Sequence, residues 1–460
     1  MTGSRGLAPF RVGSVPRDTL LIAVGVCLLV GTLAISAVTA PAIGSPNREA
    51  ANETGALTLV GSQGGGPGWH EYGSVYLLNG SDVVWREGSA ESYFDATRTP
   101  DGTVLAGFMQ GGYDSCGEYE PPCTRTGFRI IDPGPTPRVV EEYSFPVRTR
   151  RNSEVHDVER LDSGEVLLTD MDAERIFTVR DGEVSWQWSA SSFYDAPPDP
   201  TRTDWLHIND VDVIDEGRYL ISVRNANQLL VVERGEGVVE VVNEDRSDRN
   251  DANCRQSEQL RDTDGDGDVR CGDPSILDHQ HNPQWLGDGA VLVADSENDR
   301  VVELHERNGT WGVAWSLQRT AGVGLSWPRD ADRLSNGNTL VTDTLNKRIV
   351  EVNESGEAAW SYRTDRIPYE ADRLPIGEAV GGPTYGDTAT ATDTVGERRT
   401  DSARSMLSVL LVGMQAIYPG LPFWFGETQL LLTLVSLGCL LGGAAIGLRK
   451  RGGRRNTDRE

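Results

Sequence analysis

The stretch HDVERLDSGEVLLTD, which begins at His156, decides the fold because four other stretches repeat its pattern. In each copy an alternating segment reaches a glycine eight residues after its first residue, and an apolar strand follows. The other copies are FDATRTPDGTVLAGF from Phe94, NDVDVIDEGRYLISV from Asn209, HNPQWLGDGAVLVAD from His281 and RDADRLSNGNTLVTD from Arg329. A further strand pair follows most copies, so each unit of roughly 50 residues predicts four short strands. That arrangement is typical of one blade of a β-propeller.

A sixth copy is divided between the two ends of the repeat region. YEADRLPIG, from Tyr369, repeats the first strand and its glycine, but no apolar second strand follows it. LTLV from Leu57, VYLL from Val75 and DVVW from Asp82 supply three strands that lack a first one. Joining the two halves completes one blade and removes its exposed edges. The sequence therefore predicts an all-β, six-bladed β-propeller over residues 51–386.

Two apolar segments, residues 19–41 and 428–448, each approach the ~20 residues that a membrane-spanning helix needs. Basic residues lie on the outer side of each segment, within residues 1–18 and 449–460. The positive-inside rule therefore places both ends in the cytoplasm and the propeller on the extracellular side of the cell membrane. The alternative for the first segment is a signal sequence that is cut after Ala40. Residues 387–405 read as a linker, and residues 406–425 as an apolar segment that lies at the membrane interface.

Composition limits the partners and the compartment. The chain has 69 acidic and 43 basic residues and a net charge of −26, which disfavours nucleic acid as a partner because its phosphates are repelled. The acidic residues are spread along the whole chain, as in proteins of halophilic cells. Outside the apolar segments, the spacing favours disulfides between Cys116 and Cys123 and between Cys254 and Cys271. Four glycosylation sequons support an extracellular location, and they lie at Asn52, Asn79, Asn308 and Asn353.

Two repeated residue patterns are expected to stabilise the blades. Tryptophans recur near the ends of the repeats and are expected to pack between blades, at Trp85, Trp186, Trp315 and Trp360. An aspartate precedes an arginine by five residues in three repeats, with Asp170, Asp295 and Asp343 preceding Arg175, Arg300 and Arg348. Because this spacing recurs in several blades, we interpret these residues as structural hydrogen-bonded pairs.

The histidines mark a candidate site. Of six histidines in the chain, four lie at the start of the first-strand repeat: His156, His207, His279 and His281. By the glycine register, equivalent positions in the six blades are Phe94, His156, Asn209, His281, Arg329 and Tyr369, which we call the axial column. His207 and His279 lie two residues before the column, so they face the same way as the column does. The first strand of each blade lines the axis of a propeller, and we therefore expect these imidazoles to converge.

These residues carry a resemblance to the arylsulfate sulfotransferase family. DWLHINDVDVIDEGRYLISVRNANQLLVV, at residues 204–232, resembles the segment in which a histidine and a downstream arginine bind the sulfuryl group, here His207 and Arg224. VHDVERLDSGEVLL resembles an earlier histidine motif and indicates His156. QHNPQWLGDGAVLVAD resembles the motif of the histidine that becomes sulfated and indicates His281, although His279 stands two residues before it.

The resemblance implies a membrane-anchored transferase that moves a sulfuryl group from an aryl sulfate to a phenol through a sulfohistidine. Such a reaction needs neither a nucleotide sulfate donor nor a catalytic cofactor, and no P-loop occurs in the sequence. The expected catalytic residues are His281, His207, His156 and Arg224. The expected substrate contacts are His279, Asn209, Arg329 and Tyr369. A neutral imidazole suits the nucleophile, and cations stabilise the sulfuryl oxygens.

Two other functions fit the same residues. One is a non-catalytic propeller that binds a ligand at the cell surface, because propellers host many functions. The other is a metal-assisted hydrolase with His156, His207 and His281 as ligands.

A second site is predicted at DTDGDGDVRCGD, residues 262–273, within an insert at residues 251–273. Its spacing resembles an EF-hand-like calcium loop, with candidate ligands Asp262, Asp264, Asp266, Asp268 and Asp273. Bound calcium would be structural and would fix the rim of the pocket. The alternative is an acidic surface loop.

Overall fold

The computed structural model describes residues 16–40, 57–65, 69–134, 136–150, 153–244, 260, 269–377, 379–386, 407, 410–411, 414, 417–418, 421–422 and 424–457. The chain separates into a unit of strands and a unit of helices. The strands form six four-stranded sheets, so the fold is the all-β, six-bladed β-propeller that the repeat predicts.

The first three strands, β1 (Leu57–Gly64), β2 (Ser74–Asn79) and β3 (Asp82–Glu87), belong to the blade that the last strand completes. Blade 1 contains β4 (Ser92–Arg98), β5 (Val104–Tyr113), β6 (Cys123–Asp132) and β7 (Arg138–Val147). Blade 2 contains β8 (Val158–Arg160), β9 (Val166–Asp170), β10 (Arg175–Arg180) and β11 (Glu183–Ser189). Blade 3 contains β12 (Ile208–Asp215), β13 (Arg218–Val223), β14 (Gln228–Glu233) and β15 (Gly237–Val242).

Blade 4 contains β16 (His281–Gly287), β17 (Ala290–Asp295), β18 (Arg300–Glu306) and β19 (Trp311–Leu317). A two-stranded hairpin follows, formed by β20 (Arg319–Thr320) and β21 (Val323–Gly324). Blade 5 contains β22 (Pro328–Arg333), β23 (Thr339–Asp343), β24 (Arg348–Val352) and β25 (Ala358–Arg363). Blade 6 consists of β26 (Ile367–Leu374) with β1, β2 and β3.

The sixth blade closes the ring as the split repeat predicts. β26 pairs antiparallel with β1, so that Leu374 faces Leu57 and Ile367 faces Gly64. A strand from one end of the propeller sequence thereby occupies the edge that a strand from the other end would expose.

Apolar layers between neighbouring blades form the core. Trp85 lies in a cluster with Tyr93 and Phe108, between blades 6 and 1. Trp360 lies in the layer between blades 5 and 6, while Trp186 and Trp315 pack against two other layers. The predicted packing of these tryptophans between blades is confirmed.

The predicted aspartate–arginine pairs are also confirmed. The guanidinium of Arg175 donates to Asp170 across 2.7 Å, and Arg300 and Arg348 donate to Asp295 and Asp343 across 2.6 Å. Each pair joins the end of a blade's second strand to the start of its third strand, so it fixes the turn between them.

Carboxylates that follow the axial column connect the blades near the axis. Asp95 accepts a hydrogen bond from the backbone N–H of Val158, at 3.2 Å, and Asp157 accepts one from Val211, at 2.8 Å. Asp330 accepts from Ala371 at 3.0 Å, and Glu370 closes the ring by accepting from Ala96 at 3.4 Å. Between blades 3 and 4 the equivalent position is Pro283, which has no N–H to donate. These bonds fix the height of each column residue relative to its neighbours.

We expect Gly61→Ala to unfold the propeller at lower denaturant concentration, because a Cβ on Gly61 would lie 1.7 Å from the carbonyl oxygen of Phe94. The strand pair that closes the ring would have to separate from blade 1, at a cost of about 3 kcal/mol in the free energy of unfolding. Gly88→Ala is the matched control, since its Cβ would meet nothing nearer than 3.4 Å. Urea unfolding of the full chain measures both, and equal midpoints would contradict the prediction.

The helical unit contains α1 (Arg17–Thr39) and α2 (Glu427–Thr457). Both helices are long and apolar enough to cross a membrane. They pack antiparallel, because Gln429 bonds to Ser36 at one end, with Nε2 to Oγ at 3.0 Å, while Lys450 pairs with Asp18 at the other. A Cβ on Gly25 would lie 2.9 Å from the carbonyl oxygen of Ser436, so small residues allow this close approach.

The structure describes only some of the residues on which the remaining sequence predictions depend. Cys116 and Cys123 form the predicted disulfide, with Cα atoms 5.7 Å apart. Cys271 is disulfide-bonded, and its expected partner Cys254 lies outside the described residues. In the predicted calcium loop, Asp273 is described and Asp262, Asp264, Asp266 and Asp268 are not, and residues 387–405 also lie outside. The carboxylate of Asp273 accepts the backbone N–H of Ser275 at 2.8 Å.

Candidate functional site

The axial column brings aromatic rings from several blades together. His156 stacks on Tyr369 and on His207, with ring centroids 5.3 Å apart in both pairs, and it meets Phe94 edge-to-face at 5.0 Å. His281 meets Tyr369 edge-to-face at 6.2 Å. Three imidazoles that are distant in sequence therefore share one cluster around Tyr369.

The ring of His281 is fixed in one tautomer by Ser296. Nδ1 of His281 lies 2.7 Å from Oγ of Ser296, and the Ser296 hydroxyl donates its proton to the carbonyl oxygen of Pro328 at 2.6 Å. Since that proton is committed, Nδ1 of His281 must carry a proton and donate it to Ser296. Nε2 then has a free electron pair, and no described residue forms a hydrogen bond to it.

Burial keeps His281 neutral. The residue is 1% exposed, and burial lowers the pKa of its imidazole well below its usual range, with further lowering by the charges of Arg329 and Arg224. A neutral, singly oriented imidazole with a free Nε2 meets the requirement for a nitrogen nucleophile.

His207 is held by a carboxylate that the sequence analysis did not identify. Its Nδ1 lies 2.7 Å from the carboxylate of Asp204, so Nδ1 donates its proton and Nε2 remains available as a base. Burial lowers the pKa of His207, while Asp204 acts in the opposite direction. Burial acts to raise the pKa of Asp204, but His207 and Arg224 outweigh it and keep Asp204 ionised.

His156 contacts three other rings of the cluster, those of Phe94, His207 and Tyr369. It is 3% exposed, and neither of its ring nitrogens has a hydrogen-bond partner among the described residues. Burial, followed by the charges of His207 and Arg329, lowers its pKa well below the usual value. A buried polar ring without a partner is costly, so a bound group that hydrogen bonds to it would gain affinity.

Two arginines supply positive charge. The guanidinium of Arg329 lies 4.9 Å from the centre of the Tyr369 ring and also bonds to Gln63. Burial lowers the pKa of Arg329 to about 10, so it stays charged at neutral pH. Arg224 lies in the loop after β13, where its guanidinium is 4.0 Å from Glu297 and donates to Asn225 at 2.8 Å.

The other expected substrate contacts lie around this cluster with different partners. The side-chain amide of Asn209 donates to the backbone carbonyl oxygen of Gln280 at 2.9 Å, and the backbone carbonyl oxygen of Asn209 accepts the Tyr369 hydroxyl at 3.5 Å. The Nδ1 atom of His279 lies 2.6 Å from Asp278, and the side chain is one-third exposed. The geometry therefore favours His281 over His279 as the nucleophile, because His281 is in ring contact with the cluster.

Sequence analysis missed a second group of residues, which includes His70. The residues two positions before the axial column, together with the side chains that contact them, form what we call the rim of the site. Nδ1 of His70 bonds to Ser92 at 3.0 Å, and its Nε2 lies 3.2 Å from the carboxyl of Glu154. Burial raises the pKa of Glu154 to about 8 and lowers the pKa of His70 to about 4, so a neutral carboxyl donates to a neutral imidazole. Ser92 and Glu154 stand two residues before the column, as His207 does, so the register contained a signal for them. No pattern marks His70.

Trp69 and Trp327 complete the rim beside Arg329. Their rings meet edge-to-face at 5.4 Å, and the Arg329 guanidinium lies 5.3 Å and 5.0 Å from the two ring centres. Both side chains are partly exposed. They offer an aromatic surface next to a fixed positive charge.

We expect His70→Gln to reduce the acid sensitivity of folding. With a pKa lowered from 6.5 to about 4, native His70 binds fewer protons than the unfolded chain does in that range. The contribution of His70 to the free energy of unfolding is therefore fully present above pH 6.5. It falls by about 3 kcal/mol as the pH is lowered from 6.5 through about 4. Urea unfolding at pH 4 to 8 measures the effect. Parallel pH dependences for the native and His70→Gln proteins would contradict it.

The described residues contain no group of three histidine, cysteine, aspartate or glutamate side chains that is arranged to hold a metal ion. His156 and His207 present ring faces to each other, at an interplanar angle of 29°. This stacking does not favour their use as ligands of one ion.

Comparisons with known proteins do not reach the activity. No family model and no curated protein matches the sequence. A protein of unknown function from Bacteroides caccae matches at 13% identity with a TM-score of 0.46, over 70% of this chain and 99% of its own. A periplasmic gluconolactonase from Pseudomonas aeruginosa matches at 13% identity with a TM-score of 0.38, over 69% of this chain and 98% of its own. Virginiamycin B lyase from Staphylococcus aureus matches at 12% identity with a TM-score of 0.35, over 60% of this chain and 73% of its own. Likeness at this level carries no argument about substrate, and it lends no support to the sulfotransferase resemblance.

Proposed function

We propose that this protein is an aryl sulfotransferase that moves a sulfuryl group from an aryl sulfate ester to a phenol through a sulfohistidine on His281. The observation that carries the proposal is the state of His281. Its Nδ1 proton is committed to Ser296 and its Nε2 is free, in a cluster that also contains Arg329 and two further imidazoles. The resemblance of residues 280–295 to the motif of the sulfated histidine supports the choice of His281, and the resemblance at residues 204–232 supports the roles of His207 and Arg224.

In the first step, Nε2 of His281 attacks the sulfur of the aryl sulfate. A nitrogen–sulfur bond forms while the bond between sulfur and the aryl oxygen breaks, and the phenolate leaves with that electron pair. Arg224 and Arg329 stabilise the negative charge on the sulfuryl and departing oxygens. His156, which has no described partner, donates its ring N–H to a sulfuryl oxygen.

In the second step, the acceptor hydroxyl gives its proton to Nε2 of His207 while its oxygen attacks the sulfur. The nitrogen–sulfur bond breaks, and His281 returns to its starting state. Asp204 stabilises the imidazolium that forms on His207, because its carboxylate lies 2.7 Å from Nδ1. His207 then releases its proton to the solvent. This role requires a neutral His207, in keeping with the lowered pKa of its imidazole.

We place the propeller on the extracellular side of the membrane, anchored by α1 and α2. The basic residues at both ends of the chain support that orientation, and the Cys116–Cys123 disulfide agrees with an oxidising compartment. The acidic composition supports work at high salt, and a structural calcium ion at residues 262–273 remains part of the proposal.

The test is an assay of the full chain in detergent, at high salt, with an aryl sulfate as donor. A transferase releases phenolate rapidly only when an acceptor phenol is present, and a zinc-selective chelator that spares calcium leaves the rate unchanged. A metal-assisted hydrolase works without the phenol and loses activity with the chelator. A ligand-binding propeller releases no phenolate. Either of the last two results would overturn the proposed function.

A further inference from the structure

Three rim residues adopt a backbone conformation that normally belongs to glycine. The φ angles of His207, His279 and Trp327 are +56°, +52° and +49°. Each residue lies two positions before the column residue of its own blade, in blades 3, 4 and 5. Bulky side chains at positive φ are strained, and such strain persists only where the surroundings enforce it.

A side chain from the preceding blade holds each of these three residues. Glu174 accepts the backbone N–H of His207 at 2.7 Å, Asn227 accepts that of His279 at 2.9 Å, and Asp299 accepts that of Trp327 at 2.9 Å. The three holding residues occupy equivalent places, directly before the third strand of their blades. They also have positive φ angles, of 51°, 55° and 51°.

Glu174 makes the most extensive of these contacts. Its carboxyl group also accepts the N–H of Leu206 at 2.9 Å and that of Ile208 at 3.0 Å, and the residue is fully buried. Three consecutive backbone N–H groups are thereby fixed around His207. The direction of the imidazole toward Asp204 follows from this fixed backbone.

Among the six blades, this combination of positive φ and a holding side chain occurs at the rim positions of blades 3, 4 and 5. At the equivalent places of blades 1, 2 and 6, Ser92, Glu154 and Ile367 do not have positive φ angles. Lys347, directly before β24, has a φ of +52° but uses its backbone carbonyl, which accepts the N–H of Thr364 at 3.0 Å. Side-chain holding therefore occurs where the rim carries two imidazoles and an indole, beside His281 and Arg329.

We infer that Glu174, Asn227 and Asp299 are positioning residues that fix how His207, His279 and Trp327 face a bound substrate. This inference rests on the proposed function of the same site. Glu174 keeps the His207 base aligned with Asp204 and stacked on His156. Asp299 keeps Trp327 against Trp69 and Arg329, so that the aromatic ring of a substrate meets a preformed surface.

The first test compares Asp299→Ala, Asp299→Asn and Lys347→Ala in the phenol-dependent assay. Lys347→Ala is the matched control. It places alanine in the equivalent turn of blade 5, at nearly the same φ, without removing a side chain that holds a rim residue. We expect Asp299→Ala to raise the KM for the aryl sulfate about tenfold with little change in kcat. Asp299→Asn keeps the acceptor oxygen and should restore KM, while Lys347→Ala should match the native enzyme. An unchanged KM in Asp299→Ala, or no rescue by asparagine, would overturn the inference.

A second test does not depend on turnover, so it separates this inference from the proposed function. The chain has six histidines, which makes nitrogen-15 NMR of the imidazoles tractable. In Glu174→Ala the N–H groups of residues 206–208 lose their acceptor, so we expect the hydrogen-bonded Nδ1–H signal of His207 to weaken or shift. Lys347→Ala should leave that signal in place. The same signal in all three proteins would overturn the inference even if the protein transfers no sulfuryl group.

Discussion

Replacing His281 with alanine should abolish phenol-dependent sulfuryl transfer, with a loss of more than ~10³-fold in kcat. The variant has no nitrogen at the position that Ser296 orients, so the sulfohistidine cannot form. Neither of the remaining imidazoles replaces it, because His156 and His207 stack on each other and His207 is engaged by Asp204. Phenolate release from an aryl sulfate, with and without acceptor, measures the loss.

Two controls give this result its meaning. His281→Gln keeps more of the buried volume, so a similar loss in both variants excludes a packing defect as the cause. His279→Ala removes the neighbouring imidazole, which is one-third exposed and bonded to Asp278. Activity that survives in His281→Ala but disappears in His279→Ala would move the nucleophile to His279.

Replacing Arg224 with alanine should lower kcat about 10²- to 10³-fold, the usual cost of removing one fixed group that stabilises charge in the transition state. The Arg224 side chain is 16% exposed, so a ligand can reach its guanidinium. The effect should appear in kcat more than in KM, because the charge on the leaving oxygen develops only as the bond to sulfur breaks.

Arg224→Lys and Arg319→Ala are the controls for that measurement. Lysine keeps the charge but lacks the planar guanidinium, and we expect it to recover part of the rate. Arg319 lies exposed in the hairpin between blades 4 and 5, so its removal should leave the rate unchanged. Equal kcat in native protein and Arg224→Ala would remove Arg224 from the mechanism.

The repeat predicted the fold and the axial column because both depend on local periodicity. A glycine at a constant offset sets the register of each first strand, and equivalent positions in a ring of blades must meet at the axis. For this reason the contacts of His156, His281 and Tyr369 followed from spacing alone. The split blade was predictable because each half lacks the strands that the other half supplies.

The partners of the imidazoles were not predictable from the same signal. Ser296 lies in the turn after β17 and Asp204 in the loop before β12, and these two places are not equivalent in the repeat. Glu174, Asn227 and Asp299 do occupy equivalent places, but their residue types differ and their contacts cross from one blade to the next. Such contacts depend on loop geometry, which periodicity does not encode.

The propeller supplies the arrangement, and the chemistry depends on a few side chains placed on it. These side chains lie at the inner-strand ends. In this chain those ends carry imidazoles whose pKa values burial lowers, together with an arginine that stays charged.

The most direct test of the account is peptide mass spectrometry of the full chain after brief incubation with an aryl sulfate and no acceptor. We predict the added mass of one sulfuryl group on the peptide that contains His281, and its loss when a phenol is added. A sulfuryl group on another residue, or transfer to phenol that continues while His281 stays unmodified, would contradict the account.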